Sequence, residues 1–130
     1  MEYLHCGDIE LPEREMKDFK AIKGNNDYFY RYPESLIVEI EGFRIFMIHS
    51  HQVRYRHRIE DLAQLAKDNN CQVVCFGHTH IYQVEEYDGI LCINPGSLYY
   101  NRDGSEPSYA LVRINNGELA VERKLLSELS

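Results

Sequence analysis

Four short strand-like runs in this chain each stop on a small polar cluster. Tyr3-Leu4-His5-Cys6 ends at Gly7-Asp8, and Lys20 to Lys23 ends at Gly24-Asn25-Asn26-Asp27. Phe43 to Ile48 runs straight into His49-Ser50-His51, and Gln72 to Phe76 stops at Gly77-His78-Thr79-His80. Runs of this length, bounded by turn formers, read as strands. In an open α/β sheet, ligand sites form beyond the carboxyl ends of the strands. Four strand ends that each deliver a polar or metal-binding side chain are therefore expected at one edge of such a sheet.

The other segments agree with an α/β fold. Pro12 suits the first turn of a short helix running to about Phe19, with Glu13 and Glu15 near its positive end. Leu36 to Ile40 and Phe43 to Ile48 flank Glu41-Gly42, which predicts a β-hairpin. Ile59, Leu62, Ala63, Leu65 and Ala66 recur at helical spacing and predict an amphipathic helix over about 57–69. Gln72 to Phe76 is apolar enough to be buried on both faces. Only strand signals follow, at 81–87, 90–93, 109–114 and 119–124, with Asp88-Gly89 and Asn116-Gly117 as hairpin turns.

With 130 residues and no linker or repeat, residues 1–130 are expected to form a single domain. The formal net charge of −7, from 14 basic and 21 acidic side chains, argues against duplex nucleic acid or a membrane as partner. No apolar run approaches the ~20 residues that span a bilayer, and the first residues do not resemble a secretory signal. Cys71, Cys75 and Cys92 sit in apolar stretches and read as reduced, buried side chains, so the expected location is cytoplasmic.

Asp8, Asn25, His49, His78 and His80 supply a carboxylate, an amide oxygen and imidazoles. That donor set suits a hard or borderline divalent ion and not a thiolate site. Glycine before Asp8, Asn25 and His78 lets the backbone turn sharply and approach a ligand. Each piece has a plain alternative: a Gly-Asp pair is usually a turn, and a lone histidine is usually structural. Arg54, Arg56, His57 and Arg58 read either as a solvated surface or as a rim near phosphate. The aromatic residues Tyr28, Phe29, Tyr30 and Tyr32 and the pair Tyr99-Tyr100 read as packing or as stacking groups.

Taken in order, His5-Cys6-Gly7-Asp8, Gly24-Asn25-Asn26-Asp27, Ile48-His49-Ser50-His51, Gly77-His78-Thr79-His80 and Ile93-Asn94-Pro95-Gly96-Ser97 resemble the calcineurin-like metallophosphoesterases, in the small phosphodiesterase branch that includes the retromer subunit of this fold. The resemblance implies a four-layer α/β/β/α sandwich. It implies Asp8 as a carboxylate bridging two metal ions, with Asn25, His49 and His78 on the second ion and His80 on the first. Mn²⁺ is the expected metal, with Ni²⁺, Fe²⁺, Zn²⁺ and Mg²⁺ as alternatives. The implied reaction is hydrolysis of a small phosphodiester by metal-bound hydroxide, with Asp8 and His51 as catalytic residues and His51 contacting phosphate or helping the leaving group.

The resemblance also exposes departures. The family's Asp-x-His motif at the end of the first strand has no counterpart here, so the domain is expected to be short by one N-terminal β–α unit. Two explanations are a fragment or misassigned start, and a natural truncation whose exposed strand edges are covered in a homo-oligomer. Asn26 stands where larger relatives carry a histidine, and Ser50 stands where glycine is usual. The alternative is a catalytically impaired member of the fold acting as a binding or scaffold module.

Overall fold

The computed structural model describes residues 3–5, 19–22, 24, 33–79, 81–96, 104 and 108–125. Two short strands, β1 (Tyr3–His5) and β2 (Phe19–Ala21), pair in parallel with His5 opposite Ala21. Phe19 opens β2 and does not close the predicted helix, because pairing with Tyr3 draws it into the ladder. The rest of that helix, residues 12–18, lies outside the described residues.

The main sheet contains β3 (Ser35–Ile40), β4 (Phe43–Ile48), β5 (Val73–Phe76), β6 (Gln83–Tyr87) and β7 (Ile90–Asn94), in the order β3-β4-β5-β7-β6. Neighbours β4, β5 and β7 run parallel, while β3 and β6 close the edges as antiparallel partners. A separate antiparallel ribbon joins β8 (Ser108–Asn115) to β9 (Glu118–Leu125). The single helix among the described residues, α1 (Arg58–Asp68), connects β4 to β5 behind a 3-10 turn at Tyr55–His57. It spans 11 residues, and no described helix is long and apolar enough to cross a membrane.

Side-chain alternation along the central strands divides the core between two faces. Phe46, Ile48, Val74, Phe76, Ile90 and Cys92 pack with Leu62, Ala63 and Ala66 of α1. Ile45, Met47, Val73, Cys75 and Ile93 face the opposite way, with Ala110, Val112, Leu119 and Val121 of the β8–β9 ribbon against them. Leu4 and Ile22 join that second cluster from the β1–β2 pair. The described residues thus form α, β and β layers of the expected sandwich.

Burial explains the cysteines. Cys71, Cys75 and Cys92 are free and buried, and loss of water pushes the Cys75 thiol up to about 12 and Cys92 up to about 11. Both stay protonated and act as small hydrophobes. At the lower edge, Arg44 fastens helix to sheet. Its guanidinium donates to the carbonyls of Asn69 and Asn70 at the end of α1, where a cation meets the negative end of the helix dipole.

Candidate functional site

The site grows from the parallel pairing of β4 and β5. Ile48 lies opposite Phe76, so the chain leaves both strands at neighbouring points, and the Gly77 N–H donates to the His49 carbonyl at 3.1 Å. The His49 residue is 1% exposed. The backbone then turns through Ser50 at φ +87°, which carries His51 back beside His49. Their Nδ1 atoms stand 3.0 Å apart. From the next strand end His78, itself at φ +73°, brings its ring to 5.0 Å from His49 and 6.2 Å from His51, centroid to centroid. Non-glycine residues rarely hold positive φ, and they do so mainly where the surroundings over-determine them.

Facing Nδ1 atoms at 3.0 Å require either a shared proton, with one ring donating and one accepting, or a cation toward which both lone pairs point. Two protonated rings at that distance would repel. Imidazole is a donor type that suits a divalent ion.

One carbonyl ties the loops together. Gly77 O accepts from the Ser50 hydroxyl at 3.1 Å, from Asn94 Nδ2 at 3.4 Å and from the Thr79 N–H at 2.9 Å. Asn94, the last residue of β7 and fully buried, also donates to Thr79 Oγ1 at 2.8 Å and accepts from the Gly96 N–H at 3.0 Å. Ends of three parallel strands are thereby locked in register around the histidines. Tyr82, downstream of the same loop, lies under the Arg123 guanidinium at 4.8 Å, a cation–π contact to β9.

Of the residues expected to form the site, the structure brings together His49, His51 and His78. Asp8, Asn25 and His80 lie outside the described residues, as do Asn26, Asp27, Cys6 and the aromatic segments at 28–32 and 99–100. Among the described residues no group of three or more His, Cys, Asp or Glu is arranged to hold a metal ion. The backbone that precedes Asp8 and Asn25 is placed side by side, since β1 and β2 run parallel in register.

The basic cluster separates into distinct roles. Arg54 makes a two-pronged contact with Asp61, at 3.0 and 2.7 Å, and its N–H donates to the same carboxylate at 3.1 Å. His57 Nδ1 meets Glu60 at 2.7 Å, and Arg56 is exposed. Arg58 turns inward, donating to the Ser50 carbonyl at 2.5 Å and to its hydroxyl at 2.6 Å. Sequence reasoning gave Arg58 no partner and Asn94 no role.

A layered α/β/β domain with imidazoles beyond parallel strand ends is the framework of a phosphoesterase-type hydrolase. Residues 2–117 match the calcineurin-like phosphoesterase superfamily domain, and the chain belongs to that superfamily, whose members generally use divalent metals. It is similar to the protein named "Probable metallophosphoesterase YsnB" of Bacillus subtilis, 31% identical over 91% of this chain and 71% of that protein. Among solved structures it resembles a predicted phosphoesterase from Streptococcus pneumoniae, with TM-score 0.86 and 28% identity over 94% of this chain and 72% of that one. It also resembles Entamoeba histolytica Vps29 complexed with zinc, with TM-score 0.64 and 26% identity over 82% of this chain and 68% of the other.

Proposed function

We propose that this chain is a metal-dependent phosphodiesterase, with divalent ions held by Asp8, Asn25, His49, His78 and His80. The observation that carries the reading is the convergence of His49, His51 and His78, from two parallel strand ends, on one point of the sheet edge. Bound there, divalent ions would polarise the phosphoryl group and supply the nucleophile at neutral pH. Burial of His49 holds its ring in one orientation, and its contact with His51 fixes where a proton can sit between them. His51, half-buried beside His49, is the group placed to touch a phosphoryl oxygen or the leaving group. Mn²⁺ is the proposed metal, and the chain's excess of acidic groups is no obstacle, because bound cations reverse the local field.

The test is turnover of bis(p-nitrophenyl) phosphate after loading with Mn²⁺, with p-nitrophenyl phosphate as the monoester control. Faster cleavage of the diester, abolished by chelation, supports the reading. A chain that neither binds Mn²⁺ nor cleaves either ester defeats it.

A binding-module reading draws on one observation. Edge strand β6 leaves Val84 and Tyr87 40% and 41% exposed, beside Ile81 at 38%. An edge that is unpaired among the described residues and bears apolar side chains invites another chain, including a second copy of this one. That reading expects partner binding that survives chelation, with turnover at background.

A further inference from the structure

We infer that Ser50 and Arg58 form a coupled positioning pair that holds the histidine loop in place where glycine would leave it free. Ser50 is fully buried at φ +87°, a conformation that L side chains rarely adopt. Each of its polar groups is nevertheless bonded. The N–H donates to Gln52 Oε1 at 3.1 Å, and the hydroxyl donates to the Gly77 carbonyl at 3.1 Å while accepting from Arg58 Nη1 at 2.6 Å. The carbonyl accepts from the same Arg58 nitrogen at 2.5 Å and from the Val53 N–H at 3.4 Å. Hydrogen bonds from a guanidinium are stronger than neutral ones, so the unfavourable backbone is held by charged contacts on both oxygens.

Arg58 is the first residue of α1, and that helix is anchored in the core by Leu62, Ala63 and Ala66. The guanidinium therefore passes the position of a rigid element to the loop between His49 and His51. The Ser50 hydroxyl passes it on to Gly77, the residue before His78. A glycine in place of Ser50 would offer Arg58 the carbonyl alone and would break the link to Gly77. Neither side chain is assigned to substrate or ion. Both act through the histidines, and the effect on turnover rests on the phosphodiesterase reading above.

The experiment compares the wild-type chain with Ser50→Gly, Arg58→Met, the double variant and Arg58→Lys. Two readouts are taken: the ¹⁵N–¹H spectrum of the histidine rings in metal-free protein, and Mn²⁺ affinity by calorimetry. Arg58→Met and Ser50→Gly are each expected to shift the His49 and His51 ring signals and to weaken Mn²⁺ binding about tenfold, the usual scale for groups that orient metal ligands. Arg58→Lys is expected to restore part of both. Arg58→Met should cost clearly less in the Ser50→Gly background, because one of its two acceptors is already gone. Unchanged ring spectra in both single variants, or equal costs in both backgrounds, would overturn the inference. If Arg58→Met fails to fold, Ser50→Gly decides alone, since glycine tolerates that φ. If wild type takes up no Mn²⁺, the phosphodiesterase reading falls while the ring spectra still decide the pair.

Discussion

Left-handed backbone serves different purposes at the two ends of the central sheet. At the hairpin end, Glu41-Gly42 and Asp88-Gly89 hold positive φ at both turn residues, and all four are exposed. Paired positive φ is what a two-residue hairpin needs to match the twist of its strands, and water satisfies the polar groups. At the opposite end, Ser50 and His78 adopt it singly, Ser50 buried and His78 half-buried, with no hairpin to demand it. There Arg58 and the Gly77 carbonyl supply the partners of Ser50, while Asn94 ties together Gly77 and Thr79, the residues on either side of His78. The same torsion closes a turn at one end and aims imidazoles at the other. At Ser50 its cost is offset by the hydrogen bonds that surround the residue.

The sharpest way to break this contrast is to remove an aimed ring. His78→Ala should weaken Mn²⁺ binding by at least about 100-fold, beyond the loss expected from a merely supporting group. Calorimetry checks this, and unchanged affinity would remove His78 from the proposed ligand set. Next in size is Ser50→Ala, which keeps the unfavourable φ but loses the hydroxyl bonds to Arg58 and Gly77. It should destabilise the fold by about 1–3 kcal/mol in urea denaturation, the scale for leaving a buried polar partner unmatched. At the hairpin end, Gly42→Ala meets no atom within 4 Å, so only the backbone resists it. That change should cost about 1–2 kcal/mol, with Mn²⁺ affinity unaltered. If Gly42→Ala weakened metal binding, or Ser50→Ala left it intact, the two ends would not divide as described.

The parts of this arrangement that could be read from sequence are those set by local rules. Glu41-Gly42, Asp88-Gly89 and Asn116-Gly117 lie between alternating runs, and all three form the expected two-residue turns. The spacing of Leu62, Ala63 and Ala66 located α1 and its buried face. His49 and His78 were legible because each directly follows, or lies one glycine beyond, an apolar strand. The contact between His49 and His51 was not, since it depends on the torsion at Ser50 and not on residue type. Arg58 was misjudged for a related reason. In a run of Arg54, Arg56, His57 and Arg58, nothing in the spacing says which cation turns inward. That is settled only when α1 docks on the sheet and brings its first residue against the loop eight positions earlier.

The smallest effect belongs to the other arginine of that run, and it tests whether the loop below the histidines is supported from outside as well as inside. Arg54 grips Asp61 through its side chain and its N–H, and the hydrogen bonds from Arg54 hold the Asp61 carboxyl down at about 2, below the usual carboxylate value near 3.9. A carboxyl whose pKa is depressed on folding stabilises the protein above its unfolded value and ceases to do so as pH falls through the folded one. The contribution of Asp61 is therefore complete above about pH 4 and disappears toward about pH 2. Asp61→Asn should lower stability at neutral pH only modestly, because the pair is open to solvent and screened by salt. The difference between variant and wild type should shrink on acidification across that window, and raised salt should shrink it at neutral pH. Thermal melts at a series of pH values check this. A difference constant from about pH 7 to about pH 2 would show that Asp61 acts by packing, leaving Arg58 as the charged support of the histidine loop.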